Sequence, residues 1–257
     1  MLNRSVSLKD PVATQLLSSG DSNALLNSLP PAEFDAVKPY LKTIGVSSHQ
    51  YLQTQDERID HVFFPQRSAV CAVIKNMPDG KTLQVATVGS EGVLGVGVML
   101  GDTVSSADVQ VQMAGSGVTA MPAVAFKVLL EKRTVFFEVV RKYAADFARE
   151  LMQVAACNGI HSVEQRCCRW LLTTQDRANS AKLPFTHDYL SDMLGVRRPT
   201  VTVVCNALQR SGAISYRRGS LHIVDRQRLE QASCECYWTA NATLKSEPDT
   251  HEEAGIA

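Results

Sequence analysis

The chain has 257 residues, of which 45% are hydrophobic and 20% charged, and its 26 lysines and arginines balance 26 aspartates and glutamates. These values are typical of a folded globular protein with room for two modest domains, and they exclude a wholly disordered or fibrous chain. No apolar run approaches the roughly 18 residues of a membrane span and no signal-peptide core opens the chain, so we expect a cytoplasmic protein without a membrane partner. Residues 1–21 are polar and weakly patterned, which predicts a flexible amino-terminal arm.

The next segment predicts two short helices followed by a small β-structure. Residues 23–45 have helical periodicity on either side of a Pro30-Pro31 break. From Ile59 the pattern becomes alternating, and two apolar runs, 69–75 and 83–88, flank a turn that contains Asp79-Gly80, a strong hairpin signal. The alternation of residues 108–113 predicts a strand with one buried and one wet face. We therefore expect a small antiparallel roll or barrel.

The longest helical stretch is residues 135–158, preceded by a helix that begins after Pro122. Six large apolar residues recur along it at intervals of three or four: Phe136, Val140, Tyr143, Phe147, Leu151 and Val154. This stripe is too large for one helix face against a small roll. Pairing with the same helix of a second subunit would bury it, so the six residues are our predicted dimer interface. Packing within one chain is the alternative.

Two short helices joined by a glycine follow a further predicted helix at residues 161–184. Thr186 is placed to cap the first helix, which runs to Leu194, and Gly195 suits a left-handed turn. The second helix starts near Pro199, a residue that the first turn tolerates. One face of this second helix is apolar and consists of Val201, Val204, Cys205 and Leu208. The pattern is that of a helix-turn-helix, although an ordinary helical hairpin with a solvated basic face has similar signals.

A predicted β-hairpin follows at once. Residues 213–216 and 221–224 read as strands around the turn Arg217–Ser220, as in the wing of a winged helix. Between Gly195 and Arg228 the chain has one acid, Asp225, and seven arginines: Arg197, Arg198, Arg210, Arg217, Arg218, Arg226 and Arg228. Because the whole chain is neutral, this excess is a segregated patch of the kind that binds nucleic acid.

The run LPFTHDYLSDMLGVRRPTVTVVCNALQRSGAISYRRGSLHIVDRQRLE closely resembles the winged-helix domain of the Crp–Fnr superfamily of bacterial transcription regulators. Upstream, DHVFFP and VGSEGVLGV are similar to parts of the cyclic-nucleotide-binding-type β-roll of that superfamily, and the likeness covers roughly residues 20–238. It implies an α+β fold with an antiparallel, jelly-roll-like β-roll as sensor domain, a long dimerisation helix and a carboxy-terminal winged helix-turn-helix domain.

The expected division of the chain follows this order. The parts are an arm at 1–21, the roll at 22–131, the dimerisation helix at 132–160, the winged domain at 161–238 and a disordered acidic tail at 239–257. The resemblance implies a homodimeric, sequence-specific regulator that binds an inverted-repeat operator in double-stranded DNA, with RNA polymerase as a further partner. We expect no cofactor and no enzymatic activity.

The same resemblance assigns a set of DNA-binding residues. They are Thr186, Arg197, Arg198, Pro199, Thr200, Thr202 and Val203 in the helix-turn-helix, and Arg217 and Arg218 in the wing. The cyclic-nucleotide-responsive relatives read bases with an arginine, a glutamate and a further arginine. The matching positions here are Arg198, Pro199 and Val203, so we expect one shared guanine contact and a different sequence beside it.

An effector pocket in the roll would include Gly89, Glu91, Gly92, Gly95, Val96 and Ser105. In relatives that bind cyclic nucleotides, a Gly-Glu pair holds the ribose and an Arg-Ser pair meets the cyclic phosphate. Here Val96 follows Gly95, and Ser105 occupies the arginine position. Without that arginine an anionic phosphate loses its charge-assisted partner, so we expect the signal to be something other than a cyclic nucleotide.

Three other classes of function remain to be weighed. Residues 1–70 contain no cysteine, which excludes the amino-terminal iron–sulfur sensor of the other branch of the superfamily. Cys234 and Cys236 could chelate a soft metal or form a redox pair, together with Cys167 and Cys168, or they could be small buried thiols. A cupin-like metalloenzyme would need clustered histidines, whereas the roll offers only His49 and His61.

Overall fold

The computed structural model describes residues 23–217 and 219–239, and it confirms a mixed fold of helices and antiparallel sheets. The helices are α1 Ala24–Asn27, α2 Pro31–Val37, α3 Ala123–Lys132, α4 Thr134–Ile160, α5 Val163–Ala178, α6 His187–Leu194, α7 Arg198–Arg210 and α8 Arg226–Ala232. The strands are β1 Lys42–Ile44, β2 Tyr51–Gln53, β3 His61–Pro65, β4 Val70–Asn76, β5 Thr82–Val88, β6 Asp108–Met113, β7 Val118–Pro122, β8 Lys182–Leu183, β9 Ile214–Arg217 and β10 Ser220–Ile223. The predicted arm, and the predicted tail beyond Thr239, lie outside the described residues. Within these ranges, no helix is both long and apolar enough to cross a membrane.

The roll consists of two antiparallel sheets, with strand orders β1-β7-β3 and β2-β6-β4-β5. The predicted β4–β5 hairpin is present, and Gly80 adopts φ 83° in its turn, where a residue with a Cβ would be strained. Phe63, Cys71 and Val111 from the two sheets belong to one buried cluster. The alternating pattern thus identified a real two-sheet core.

Strand β6 differs from the expectation of one wet face, because five of its six residues are buried. Gln112 on the predicted wet side donates through Nε2 to Oε1 of Gln84, 2.8 Å away, and Trp170 Nε1 donates to the same oxygen at 2.8 Å. Since Trp170 lies on α5, the winged domain covers this face of the sheet. The polar residues alternate as in a solvated strand, but they form hydrogen bonds to other groups of the protein instead.

The winged domain packs directly on the β4–β5 hairpin. Ala72 and Ile74 of β4 belong to the same buried cluster as Leu171 and Leu190 of the winged domain. At the helix-turn-helix corner, Gly195 has φ 64°, and a Cβ added there would lie 2.9 Å from Leu83 Cδ1 of the roll. Glycine is therefore needed at this corner for its backbone conformation and for the close approach of the roll.

The first part of the stripe along α4 packs on its own chain, so Phe136 and Val140 do not fit the predicted dimer interface. Phe136 and Val140 are fully buried in the same cluster as Phe126, and the rings of Phe136 and Phe126 meet edge to face at 5.8 Å. Tyr143, Phe147, Leu151 and Val154, the remaining members of the stripe, are half-buried or buried in the single chain. Packing within one chain, the alternative interpretation, accounts for Phe136 and Val140, and a role of the other four residues in a dimer interface stays a prediction.

A buried ion cluster joins the roll, α4 and α5. Arg177 of α5 places Nε 2.6 Å from Glu91 Oε1 and Nη2 3.3 Å from Glu150 Oε2, while its own side chain is 7% exposed. Burial raises the pKa of Glu150 above its ordinary value, although the guanidinium of Arg177 acts in the opposite direction. Nearby, the ring of Tyr143 lies so close to Gly92 that any Cβ there would collide with it. This cluster ties the roll and α4 to α5 of the winged domain.

The helix predicted at 161–184 is shorter than expected. Helix α5 ends at Ala178, and Asn179 adopts a left-handed conformation with φ 49°. Lys182 and Leu183 then form β8, which pairs with β10, so that the wing is a three-stranded sheet of order β8-β10-β9. Asparagine tolerates the left-handed region of backbone conformation better than most residues. The helix can therefore end at Asn179, before the end of the predicted helical stretch.

Candidate nucleic-acid interface and effector cavity

The helix-turn-helix is built by local interactions that the sequence predicts. The Thr186 side chain accepts a hydrogen bond from the Tyr189 amide at 3.1 Å, which caps α6. After the turn at Gly195, α7 begins at Arg198 and has Pro199 in its first turn. The predicted apolar face of α7 is buried against the rest of the winged domain: Val201, Val204, Cys205 and Leu208. The opposite face of α7 is consequently directed away from the core.

That opposite face presents most of the predicted base-reading residues to solvent. Arg197, Pro199 and Thr200 are exposed, as is Val203 at 67%. Arg198 is also exposed, and its Nε lies 2.9 Å from Asp188 Oδ1. Because both partners of this ion pair are well solvated, it costs little to break and leaves the guanidinium available to a base edge.

Thr202 has a different environment from its neighbours. Its hydroxyl is 3.2 Å from the Arg198 carbonyl and 3.1 Å from His187 Nδ1, and the side chain is half-buried. The His187 ring in turn stacks on Tyr216 of the wing, with centroids 4.2 Å apart. Burial, together with the Arg198 charge, lowers the pKa of His187. Thr202 and His187 therefore link α7 to the wing through Tyr216.

The cationic surface is smaller than the count of arginines indicates. Arg226 turns inward, with Nη1 2.7 Å from Asp176 Oδ1 and Nε 2.7 Å from Glu230 Oε1. Arg228 pairs with Asp225 at 3.1 Å and caps the end of α7 at the Ser211 carbonyl. The exposed arginines of this part of the chain are Arg197, Arg198, Arg210, Arg217 and Arg228, whereas Arg226 is half-buried and Arg218 lies outside the described residues.

A cavity of about 260 Å³ lies between the roll and α4. Of the six residues predicted for an effector pocket, Gly95, Val96 and Ser105 line it. The other three do not, since Gly89 and Glu91 contact Arg177 and Gly92 lies under Tyr143. The lining also includes residues of α4 that no sequence pattern associated with the roll: Ala144, Phe147, Ala148 and Leu151. A helix distant in sequence supplies this wall, so no local motif could identify it.

The polarity of the cavity does not suit an anion. Ser105, at the position of the relatives' arginine, donates its hydroxyl proton to the Ala107 carbonyl at 2.6 Å instead of facing the cavity with a free donor. The charged residue among those that line the cavity is Asp102, an acid. An apolar wall with one carboxylate favours a neutral or cationic small molecule over a phosphate.

Soft metal ligands meet at a site that the sequence did not predict. Cys234 and Cys236 lie beside Cys157 and His161, with all four ligand atoms within 4.8 Å of one another. Cys167, which we considered as a partner for the pair, instead contacts Cys205. The sequence signal that could have located this cluster is the spacing of Cys157 and His161, four residues apart at the end of a helix, where both side chains lie on one face.

Comparisons with known proteins agree with this architecture. Residues 165–232 match the model of a Crp-like helix-turn-helix domain. No match was found among curated proteins. A transcriptional regulator of the CRP family from Thermus thermophilus has 18% identity and a TM-score of 0.62, covering 73% of this chain and 95% of that one.

Two further solved structures have the same fold. One is a regulator of the crp/fnr family from Eubacterium rectale, with 17% identity, a TM-score of 0.64 and coverage of 81% of this chain and 96% of that one. The other is the c-di-GMP responsive global regulator CLP of Xanthomonas campestris, with 11% identity, a TM-score of 0.64 and coverage of 76% and 100%. At such low identities the likeness concerns the fold, while the matched domain identifies the DNA-binding module. The chain thus contains a Crp-like helix-turn-helix domain at residues 165–232, and its overall fold is similar to that of these CRP/FNR-family regulators.

Proposed function

We propose that this protein regulates transcription as a homodimer that binds an inverted-repeat operator and reads its sequence with the start of α7. The observation that carries this proposal is the exposure of Arg197 to Thr200 beside an exposed wing arginine, Arg217. The winged domain contacts the roll through other surfaces, so these residues remain free to enter a major groove. Contact with RNA polymerase is part of the proposal and rests on the family resemblance alone.

Three positions of α7 define the proposed reading of bases. Arg198 can present a bidentate fork to the O6 and N7 atoms of guanine, a contact worth roughly 1–3 kcal/mol of discrimination. Pro199 has no carboxylate to accept from a cytosine amine, and Val203 can offer only methyl contact, as to thymine. Each half-site should therefore contain one strongly required guanine next to a sequence unlike that of the cyclic-nucleotide-responsive relatives.

The second subunit would pack on the exposed face of α4, which borders the cavity at Ala148. Five residues that are exposed in the single chain repeat there at intervals of three and four: Ala145, Ala148, Met152, Ala155 and Gly159. This is the a/d spacing of a two-helix seam, and its small side chains allow close approach of two helix axes. A symmetric pair formed in this way would present two α7 helices to two half-sites.

Selection from a random DNA pool tests the reading of bases. Arg198→Ala should lower affinity for the selected operator by about 5- to 150-fold, the equivalent of one lost bidentate contact, and relax the requirement for guanine. Arg217→Ala is the matched control, because the loss of a phosphate contact should weaken all sequences alike and reduce the salt slope by about one. If Arg198→Ala selects an unchanged motif, or if Arg217→Ala alone alters the motif, the assigned roles are wrong.

The cavity leads to a second prediction, that cyclic nucleotides do not bind. Asp102 would repel the cyclic phosphate, and Ser105 supplies no positive charge. Calorimetric titration with cyclic AMP or cyclic GMP should give no saturable heat and leave operator affinity unchanged, in a sample shown to bind its operator. Micromolar binding coupled to a rise in operator affinity would contradict the prediction, because a regulatory ligand must distinguish two states of the protein.

Two alternative functions are a cupin-like metalloenzyme and a metal- or redox-responsive regulator. A cupin-like enzyme needs a group of histidines in the roll, but His49 packs against Tyr189 and His61 lies next to Phe63. The structurally similar proteins named above are regulators, which favours a non-enzymatic function. A metal- or redox-responsive regulator that uses the carboxy-terminal cysteines is favoured by one specific observation, the cluster around Cys234 and Cys236.

A further inference from the structure

Four side chains that bind soft metal ions converge where α4 ends and the chain returns after α8. Cys157 lies in the last turns of α4, and His161 is the residue that ends this helix. Cys234 and Cys236 follow α8 and are 2% exposed, while Cys157 is fully buried. Their ligand atoms all lie within 4.8 Å of one another. Two segments more than seventy residues apart in sequence thus supply two ligands each.

The spacing of these atoms fits a tetrahedral metal ion. Cys157 Sγ is 3.6 Å from Cys234 Sγ, and Cys236 Sγ is 3.5 Å from His161 Nδ1. A tetrahedral Zn²⁺ with ordinary bond lengths separates two sulfur ligands by about 3.8 Å and a sulfur from a nitrogen by about 3.6 Å. A disulfide would instead need a sulfur–sulfur distance of about 2.05 Å.

Side chains around the cluster form hydrogen bonds to two of its ligands that favour the binding of a cation. Glu235 Oε1 lies 3.2 Å from His161 Nε2 and can accept a hydrogen bond from the N–H group there. In that tautomer Nδ1 has no proton, and its lone pair is directed at the cysteines. Gln153 Nε2 donates to Cys236 Sγ at 3.0 Å, as amides do toward a metal-bound thiolate. A carboxylate behind a ligating histidine, and an N–H donor on a ligating sulfur, are the outer contacts that metal sites use.

We propose that Cys157, His161, Cys234 and Cys236 form a closed Cys₃His site for Zn²⁺ that fastens the carboxy-terminal end of the winged domain to α4. Four protein ligands leave no open position, so the site is structural rather than catalytic. On binding, the three thiols release their protons to solvent, and no oxidant or reductant takes part. The proposal is independent of how the protein reads DNA.

Metal content and cobalt substitution of the full-length protein test the site. Protein purified under reducing conditions should contain one zinc per chain. After removal of this zinc, one equivalent of Co²⁺ should give the intense visible bands of tetrahedral cobalt together with a sulfur-to-cobalt charge-transfer band, and Zn²⁺ should abolish both. Protein that retains no zinc and gives only the weak spectrum of six-coordinate cobalt would overturn the proposal.

Matched variants distinguish these ligands from other cysteines. Cys157→Ala and Cys236→Ala should lose the stoichiometric metal, whereas Cys71→Ala, which removes an equally buried thiol from the roll, should keep it. If the ligand variants fail to fold, Glu235→Gln tests the metal site instead. Glu235 is exposed, so its replacement should alter only the affinity for the metal. We expect this variant to bind Zn²⁺ about 10- to 100-fold more weakly. Unchanged affinity in Glu235→Gln, or full metal content in folded Cys157→Ala, would overturn the proposal.

Discussion

Replacing Met152 by glutamate should convert the protein to monomers. Met152 is 64% exposed in the single chain, so the substitution costs the fold of the subunit little. At a symmetric seam it would place two carboxylates next to each other in apolar surroundings. Light scattering should report the mass of one chain, and operator affinity should fall by a factor on the order of 10²–10⁴ because two linked half-site contacts become independent.

Val124→Glu is the matched control for this experiment. Val124 lies on α3, is 71% exposed, and gains the same charge without touching α4 on its proposed seam. This variant should remain dimeric and keep its operator affinity. Val140→Glu, the substitution that the apolar stripe suggests, would not serve, because Val140 is fully buried in its own chain and the variant would unfold. If Met152→Glu remains a dimer of full affinity, the seam lies elsewhere.

Removal of the guanidinium of Arg177 should destabilise the protein strongly. Arg177→Met leaves the partly buried Glu91 and Glu150 without their counter-ion, a change that typically costs about 3–5 kcal/mol for a buried pair. In a chain of this size the midpoint of thermal unfolding should fall by roughly 6–20 °C. Calorimetry or circular dichroism measures this directly.

Two comparison variants identify the cause of that loss. Arg58→Met removes an arginine whose ion pair with Asp60 is well exposed, and it should change the free energy of unfolding by less than about 1 kcal/mol. The triple variant Arg177→Met, Glu91→Gln, Glu150→Gln should recover much of the lost stability because no unpaired charge remains. If the triple variant is as unstable as Arg177→Met, lost packing rather than unpaired charge is responsible.

The DNA-binding module was predictable from sequence because its signals are local. The cap at Thr186, the left-handed turn at Gly195 and Pro199 in the first turn of α7 each act within a few residues. The buried face of α7 follows from the helical period alone. The β4–β5 hairpin was predictable for the same reason, since an Asp-Gly turn between two apolar runs indicates that the two strands pair with each other.

Which element covers a given face of a helix or strand depended on the tertiary structure. The first part of the α4 stripe and the polar side of β6 have the patterns of a subunit seam and a wet surface, yet both are buried within one chain. Periodicity reports that a face is apolar or polar, but the partner that meets this face is set by packing across the whole molecule.

The same limit applies to individual side chains. Arg226 contributes to the arginine count of the winged domain, but Asp176 and Glu230 draw it inward. No sequence motif connects Cys157 and His161 with Cys234 and Cys236. The four side chains meet only because the chain returns beside the end of α4. Residue type and spacing along one helix or hairpin determined the module that binds DNA, whereas the cavity lining, the buried ion cluster and the metal ligands required side chains from separate segments to meet in space.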